Sequence, residues 1–196
     1  AADNTSSFWT DALLTTYHNL VQQEVQQEVI QAFEDHFVTS TNVSVVNGVA
    51  SYTLPADFIK MRRVEDIRNS PNPTEIVPTT INQRGGNPSY FSLTSGAMWQ
   101  GGYYLAGNQI TFTDTPSFTD ASAIRLHYVH RLADVTAMTS TSEIPTEHHR
   151  LLVWGIVKHA LFQQQSDTTL ANAEYDKLLA RLKSLIEDRQ IQRSRR

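Results

Sequence analysis

Cysteine is absent from the 196 residues. That removes disulfides, thiolate zinc sites and cysteine nucleophiles, and suits a chain made in a reducing cytoplasm. No run approaches the roughly 18 consecutive apolar residues of a membrane span. The first residues, Ala1-Ala2-Asp3-Asn4, lack the charged and apolar regions of a secretory signal. A soluble chain that neither enters a membrane nor leaves by that route is expected. The N-x-Ser/Thr triplets at Asn4 and Asn42 therefore carry little weight as glycan sites. Glycine is scarce, with 8 residues. Neither Gly85-Gly86 nor Gly101-Gly102 fits GxGxxG or a phosphate loop, and both pairs read as turns. The chain also lacks HExxH and the G-x-S-x-G elbow of serine hydrolases.

Positive charge is missing from the front of the chain. No lysine or arginine precedes Lys60, while Asp3, Asp11, Glu24, Glu28, Glu34, Asp35 and Asp57 lie before it. The end inverts this, with Arg181, Lys183, Arg189, Arg193, Arg195 and Arg196 against Glu187 and Asp188. Either these are solvated faces, or the two ends meet different surroundings. Apolar residues make up 40% and charged residues 18% of the chain, so polarity rests on Thr, Ser, Gln and Asn, a surface suited to protein contact. The length favours one continuous unit.

Periodicity divides the chain. Leu13, Leu14, Tyr17, Val21, Val25, Val29, Ala32, Phe33 and Phe37 recur three or four apart and predict an amphipathic helix over 8–38. Ser6 or Ser7 is the expected cap, and Gln-Gln-Glu at 22–24 and 26–28 the polar face. From 43 to 131 short runs alternate with turn signals. Strands are expected at 43–46, 49–54, 61–68, 74–78, 89–94, 103–105, 109–113 and 123–130, the first two forming a hairpin about Asn47-Gly48. In the last strand the even-numbered Ile124, Leu126, Tyr128 and His130 are expected to face inward. A polar linker, 136–142, leads to a helix opened by Pro145 and apolar on nearly every side from Leu151 to Phe162, which predicts burial on several sides. A final helix, capped at Ser166 or Asp167, runs to about Arg189 with Ala171, Tyr175, Leu178, Leu182 and Leu185 as its seam. Beyond it lies a basic tail. The fold class is α+β, a helical bundle from both termini with an inserted antiparallel β module. Its parts are an N-terminal helix in 1–42, the β module in 43–133, the closing helices in 134–188 and the tail in 189–196.

Candidate chemistry is thin. Seven histidines invite a metal reading, but adjacent His148 and His149 diverge by about 100° on a helix, and His127 and His130 fall on opposite strand faces. Carboxylates such as Glu34-Asp35, or Asp57 with Glu65, carry no glycosidase signature. Asp57 is expected as a turn or helix-cap acceptor after Pro55. No catalytic, cofactor-binding or metal residue is assigned. The arginines of the tail suit phosphate, a carboxylate on a protein partner, or simple solvation at a helix end.

One stretch carries a likeness. Tyr52-Thr53-Leu54-Pro55-Ala56-Asp57-Phe58 followed by Arg62-Arg63-Val64, then Asn87-Pro88-Ser89-Tyr90-Phe91, Ile110 to Phe112 with Thr115-Pro116, Ile144-Pro145 through Leu161, and Asp167 to Leu185 follow an order that resembles the head-to-tail adaptor (connector) proteins of tailed bacteriophages. The resemblance spans about 8–190 and rests on ordered elements, with Leu54, Pro55, Asp57 and Phe58 as the family-like corner. It implies a non-enzymatic virion protein of the neck, assembled in the host bacterial cytoplasm. Such proteins form a homo-oligomeric ring, usually twelvefold, beneath the portal protein; they extend the channel for passing double-stranded DNA and dock tail or nozzle proteins. The helices would build the ring wall, the β module would face outward or tailward, and Arg189, Ile191, Arg193, Arg195 and Arg196 would dock the portal. A DNA-binding packaging component and a tail-associated cell-wall hydrolase remain the alternatives.

Overall fold

The computed structural model describes residues 9–68, 71–81, 101–137 and 140–194, with side chains described to Ile186 in the last helix. The chain divides into a helical unit, residues 1–36 with 131–196, and a β unit, residues 37–130. The β unit thus begins six residues before the expected 43 and ends three before the expected 133, because the first strand starts at Val38.

In the helical unit, α1 spans Asp11–Ala32. Its cap is Thr10, whose hydroxyl accepts from Leu13 N at 3.2 Å; Ser6 and Ser7 lie outside the described residues. The helix is shorter than expected, stopping where Phe33 turns extended, a stop with no glycine or proline to announce it. Tyr17, Val21, Val25 and Val29 are buried along one stripe, each valine contributing about 1.5–3 kcal/mol by leaving water. After the β unit, a single 3₁₀ turn, Thr146–His148, precedes α2, His149–Gln163. Pro145 therefore opens the 3₁₀ turn and not α2 itself. The turn after α2 puts Gln165 at φ 55°, with Ser166 N bonded to Leu161 O at 3.0 Å, a closure usually given to glycine. Helix α3, Thr169–Ser194, runs past the expected end near Arg189, so most of the expected tail is helical backbone. Asp167 accepts from Thr169 N at 2.9 Å.

The β unit holds two sheets. Strands β1 (Val38–Val45), β2 (Ser51–Thr53), β3 (Phe58–Asp66), β4 (Thr74–Glu75), β5 (Tyr103–Ala106), β6 (Gln109–Phe112) and β7 (Asp120–His130) order as β1-β7-β3-β4 and β2-β6-β5. All pairings between these strands are antiparallel. Val45, Val64, Ile124, Leu126 and Tyr128 from the first sheet and Tyr103, Ile110 and Phe112 from the second share one core. On β7 the even positions 124, 126 and 128 are buried as expected, but Val129 is buried while His130 is only half-buried. The expected strand 89–94 and the Asn87-to-Phe91 motif lie outside the described residues.

The expected hairpin is not formed. Its turn is present: Gly48 has φ 81° and Val49 N reaches Val46 O at 3.1 Å. The strands it joins, however, enter different sheets. Val43 pairs with Ile124 on β7, and Tyr52 with Ile110 on β6. The Tyr52 hydroxyl pins the corner, donating to Val49 O at 2.7 Å and accepting from Val46 N at 3.0 Å.

Helices α1 and α2 cross at a glycine. A Cβ on Gly155 would sit 2.3 Å from Val21 Cγ1 and 3.1 Å from the Tyr175 ring. In an isolated helix Gly-to-Ala gains up to about 1 kcal/mol, whereas overpacking a core costs about 1–3 kcal/mol. Gly155→Ala is expected to destabilise the protein by about that amount in urea unfolding; a stabilised variant would contradict this crossing.

Candidate assembly surface

The polar row of α1 is not a solvated face. Gln22 and Gln26 are 0% and 2% exposed, because they hold the chain where it returns from the β unit. Asn19 receives Val135 N at 2.8 Å and donates to Val135 O at 3.0 Å. Gln22 donates to Ala133 O at 2.9 Å and accepts from the Ser142 hydroxyl at 2.5 Å, while Gln26 accepts from Leu132 N at 3.2 Å. Side-chain amides thus give this irregular segment the partners that buried backbone requires.

The sequence-level charge asymmetry becomes pairing. Glu24 meets Lys158 Nζ at 3.5 Å and His159 Nε2 at 3.1 Å, and Glu28 meets Lys183 Nζ. Two acids of α1 are matched by basic groups of α2 and α3, within one unit, and only Lys183 belongs to the basic end. Such partly exposed pairs are worth at most about 1 kcal/mol each, so they select register more than they stabilise. Lys158 also lies 4.4 Å from the Tyr175 ring centroid. Burial, with the negative charge of Glu24 and Glu28 adding to it, pushes the Tyr175 phenol well above its ordinary pKa.

The corner residues serve the switch between sheets. Leu54 is buried in the shared core, its N–H donating to Asn108 O at 3.1 Å. Pro55 O accepts from Phe58 N at 3.1 Å, closing the turn. Asp57 caps no helix: it accepts from the Tyr128 hydroxyl at 3.1 Å. Burial first, then this carboxylate, pushes the Tyr128 pKa up to about 12. The Phe58 ring lies 5.8 Å from that of Tyr128. The corner is therefore a structural joint, buttressed by β7.

The histidines are dispersed. His127 Nε2 lies 3.1 Å from Glu65 Oε2, His130 Nδ1 lies 3.0 Å from Phe37 O, and His149 Nε2 lies 2.8 Å from Ile144 O. Among the described residues no group of three or more His, Asp or Glu could hold a metal ion, and no helix is long and apolar enough to cross a membrane.

What the helical unit leaves open is apolar surface. Helix α2 buries only Leu151, Leu152 and Gly155. Val153, 55% exposed, and the half-buried Ile156, Val157 and Ala160 gather on the opposite side, since each residue advances about 100°. Phe162, eleven residues past Leu151, returns to the buried side but is 76% exposed. Leu170 and Leu185 on α3 and Leu20 on α1 are exposed as well. Among the described residues the burial on several sides expected of α2 is not met. These residues were not singled out as a site, although the near absence of a polar face on α2 was the available signal.

The family model for the SU10 adaptor protein matches residues 1–196. The chain belongs to the SU10 adaptor protein family. It is a bacteriophage adaptor, a structural class that makes contacts with other virion proteins and belongs to the virion neck. No curated protein matches this adaptor. Of the residues expected to dock a portal, Arg189, Ile191 and Arg193 fall on the last turns of α3, while Arg195 and Arg196 lie outside the described residues.

One buried group of the adaptor's helical unit is a histidine whose pKa the fold depresses. His18 Nδ1 is buried without a hydrogen-bond partner among the described residues. Burial holds the imidazole below its ordinary 6.5, His149 adds to this, and Asn19 opposes it. A group whose folded pKa is depressed binds protons more readily unfolded, so stability is complete above about pH 6.5 and falls as pH drops toward the folded value. His18→Gln is expected to flatten the loss of unfolding free energy between about pH 7 and pH 5, measured by urea titrations across that range. An unchanged slope would contradict the assignment.

Proposed function

We propose that this adaptor works as a closed ring between the portal vertex and the tail, usually twelvefold, lengthening the channel through which double-stranded DNA passes without being read. The observation that carries this reading is the uncovered apolar side of α2. A helix apolar on nearly every side is stable in water only when other surfaces cover it. A head-to-tail interface that closes on itself needs two different patches per copy. The Val153 side of α2, and its far end at Phe162 with Leu170, supply two candidates. The reading requires no catalytic group, and the work is done by geometry. Portal attachment is assigned to the end of α3, through Arg189, Ile191 and Arg193 with Arg195 and Arg196, whose guanidinium groups suit carboxylates on a protein partner.

Val153→Glu places a charge where a sister copy would sit while disturbing little in the single chain. It is expected to leave the circular dichroism spectrum unchanged and to reduce ring formation at least tenfold, about 1.4 kcal/mol or more per contact, in sedimentation velocity. Rings at the native yield would contradict the interface. Deleting residues 190–196 is expected to leave folding and rings intact but abolish capture by immobilised portal rings; unchanged capture would remove the docking role.

A further inference from the structure

The β unit carries an interaction surface of a different kind. Strand β1 lies at the end of the order β1-β7-β3-β4 and pairs with β7 from Val38 to Val45. The outward N–H and C=O groups of these residues meet no backbone partner among the described residues. An edge of this length is a template for another strand, and proteins usually blunt it with charge, proline, bulges or a covering segment. Here the sequence is Val-Thr-Ser-Thr-Asn-Val-Ser-Val, with neither charge nor proline, and the one register shift falls between Val43 and Val45.

The other edges of the β unit are blunted more fully than β1, whose one device is that shift near its end. Strands β2 and β4 have three and two residues. Strand β5 has four residues, and its outer side is bonded at the first of them by the preceding chain, with Tyr103 N on Val77 O at 3.1 Å and Thr79 N on Tyr103 O at 2.6 Å. Beyond the two residues that β4 pairs, β3 carries Lys60, Arg62, Arg63 and both of its register shifts against β7. Only β1 is long, uncharged and uncovered among the described residues.

We propose that the outer edge of β1 is the docking site for an extended, uncharged strand donated by a different virion protein, completing the first sheet by β-augmentation; this rests on the adaptor reading above. The occupant follows from the chemistry: alternating donors and acceptors at strand spacing are matched by another strand and by little else. A sister copy is the poorer fit. Pairing β1 with β1 gives a twofold contact that does not propagate around a ring, and the sister's other described strands are short, covered or charged.

Hydrogen exchange read by mass spectrometry on the free protein, on its isolated rings and on tailed particles tests this. The outward amides of Val38–Val45 are expected to exchange at the same rate in the free protein and in rings, and at least about tenfold more slowly in particles. Protection already present in isolated rings assigns the edge to a sister copy and overturns the proposal, as does the absence of added protection in particles. The double variant Ser40→Lys with Asn42→Lys supplies the missing charge at two exposed positions of β1. It is expected to form rings at the native yield but to lower the yield of tailed particles at least tenfold. Native yields of tailed particles, or loss of rings, would each overturn the proposal. Failure of the adaptor reading itself looks different: no rings form, and the chain is absent from particles.

Discussion

The structure depends on covering α1 along its whole length, and on doing so with residues that arrive about a hundred positions later in the chain. One row of the helix is apolar and takes α2 and α3; at Gly155 Val21 occupies the space a side chain would need. The other row is amide, and Asn19, Gln22 and Gln26 satisfy the backbone of the returning segment. A buried amide left without its partner costs about 1–3 kcal/mol, so this row fixes where the chain re-enters the bundle. The returning segment from Leu132 to Val135, and α2 and α3 beyond it, pack on those two rows.

Compensation at long range is the common theme. The acids of α1 find their cations on α2 and α3. The Leu54-Pro55-Ala56-Asp57-Phe58 corner, which moves the chain from one sheet to the other, is braced by Tyr128 from the far end of the β unit. Neither unit could be assembled from neighbours in sequence alone. Among the described residues the helical unit nevertheless stops short of closing itself, since α2 presents apolar residues on a side that they cover only in part.

The helices and the α+β class were legible because a three-to-four-residue period is a local mark of a helix face. The family was legible in the order of short motifs around Leu54 to Phe58. Three readings failed for physical reasons. Asn47-Gly48 does make its turn, but local turn chemistry cannot say which strands will pair, and β7 and β6 competed successfully for the two segments. Gln22 and Gln26 looked solvated because glutamine is polar; that they face a returning backbone depends on contacts more than a hundred residues away. The end of α1 at Ala32 carries no glycine or proline and had no local mark. The uncovered side of α2 was visible as missing polarity, but whether its own chain would cover it could be decided only in three dimensions.

The central proposal is that this protein is completed by other copies of itself, through helix surface that the described residues of one chain leave partly exposed. A cryo-electron microscopy map of the neck in intact particles tests it most directly. The account predicts a closed ring in which Val153, Ile156, Val157 and Ala160 of α2 are sealed against the adjacent copy. A neck in which that side of α2 faces solvent, with adjacent copies touching elsewhere, would contradict it.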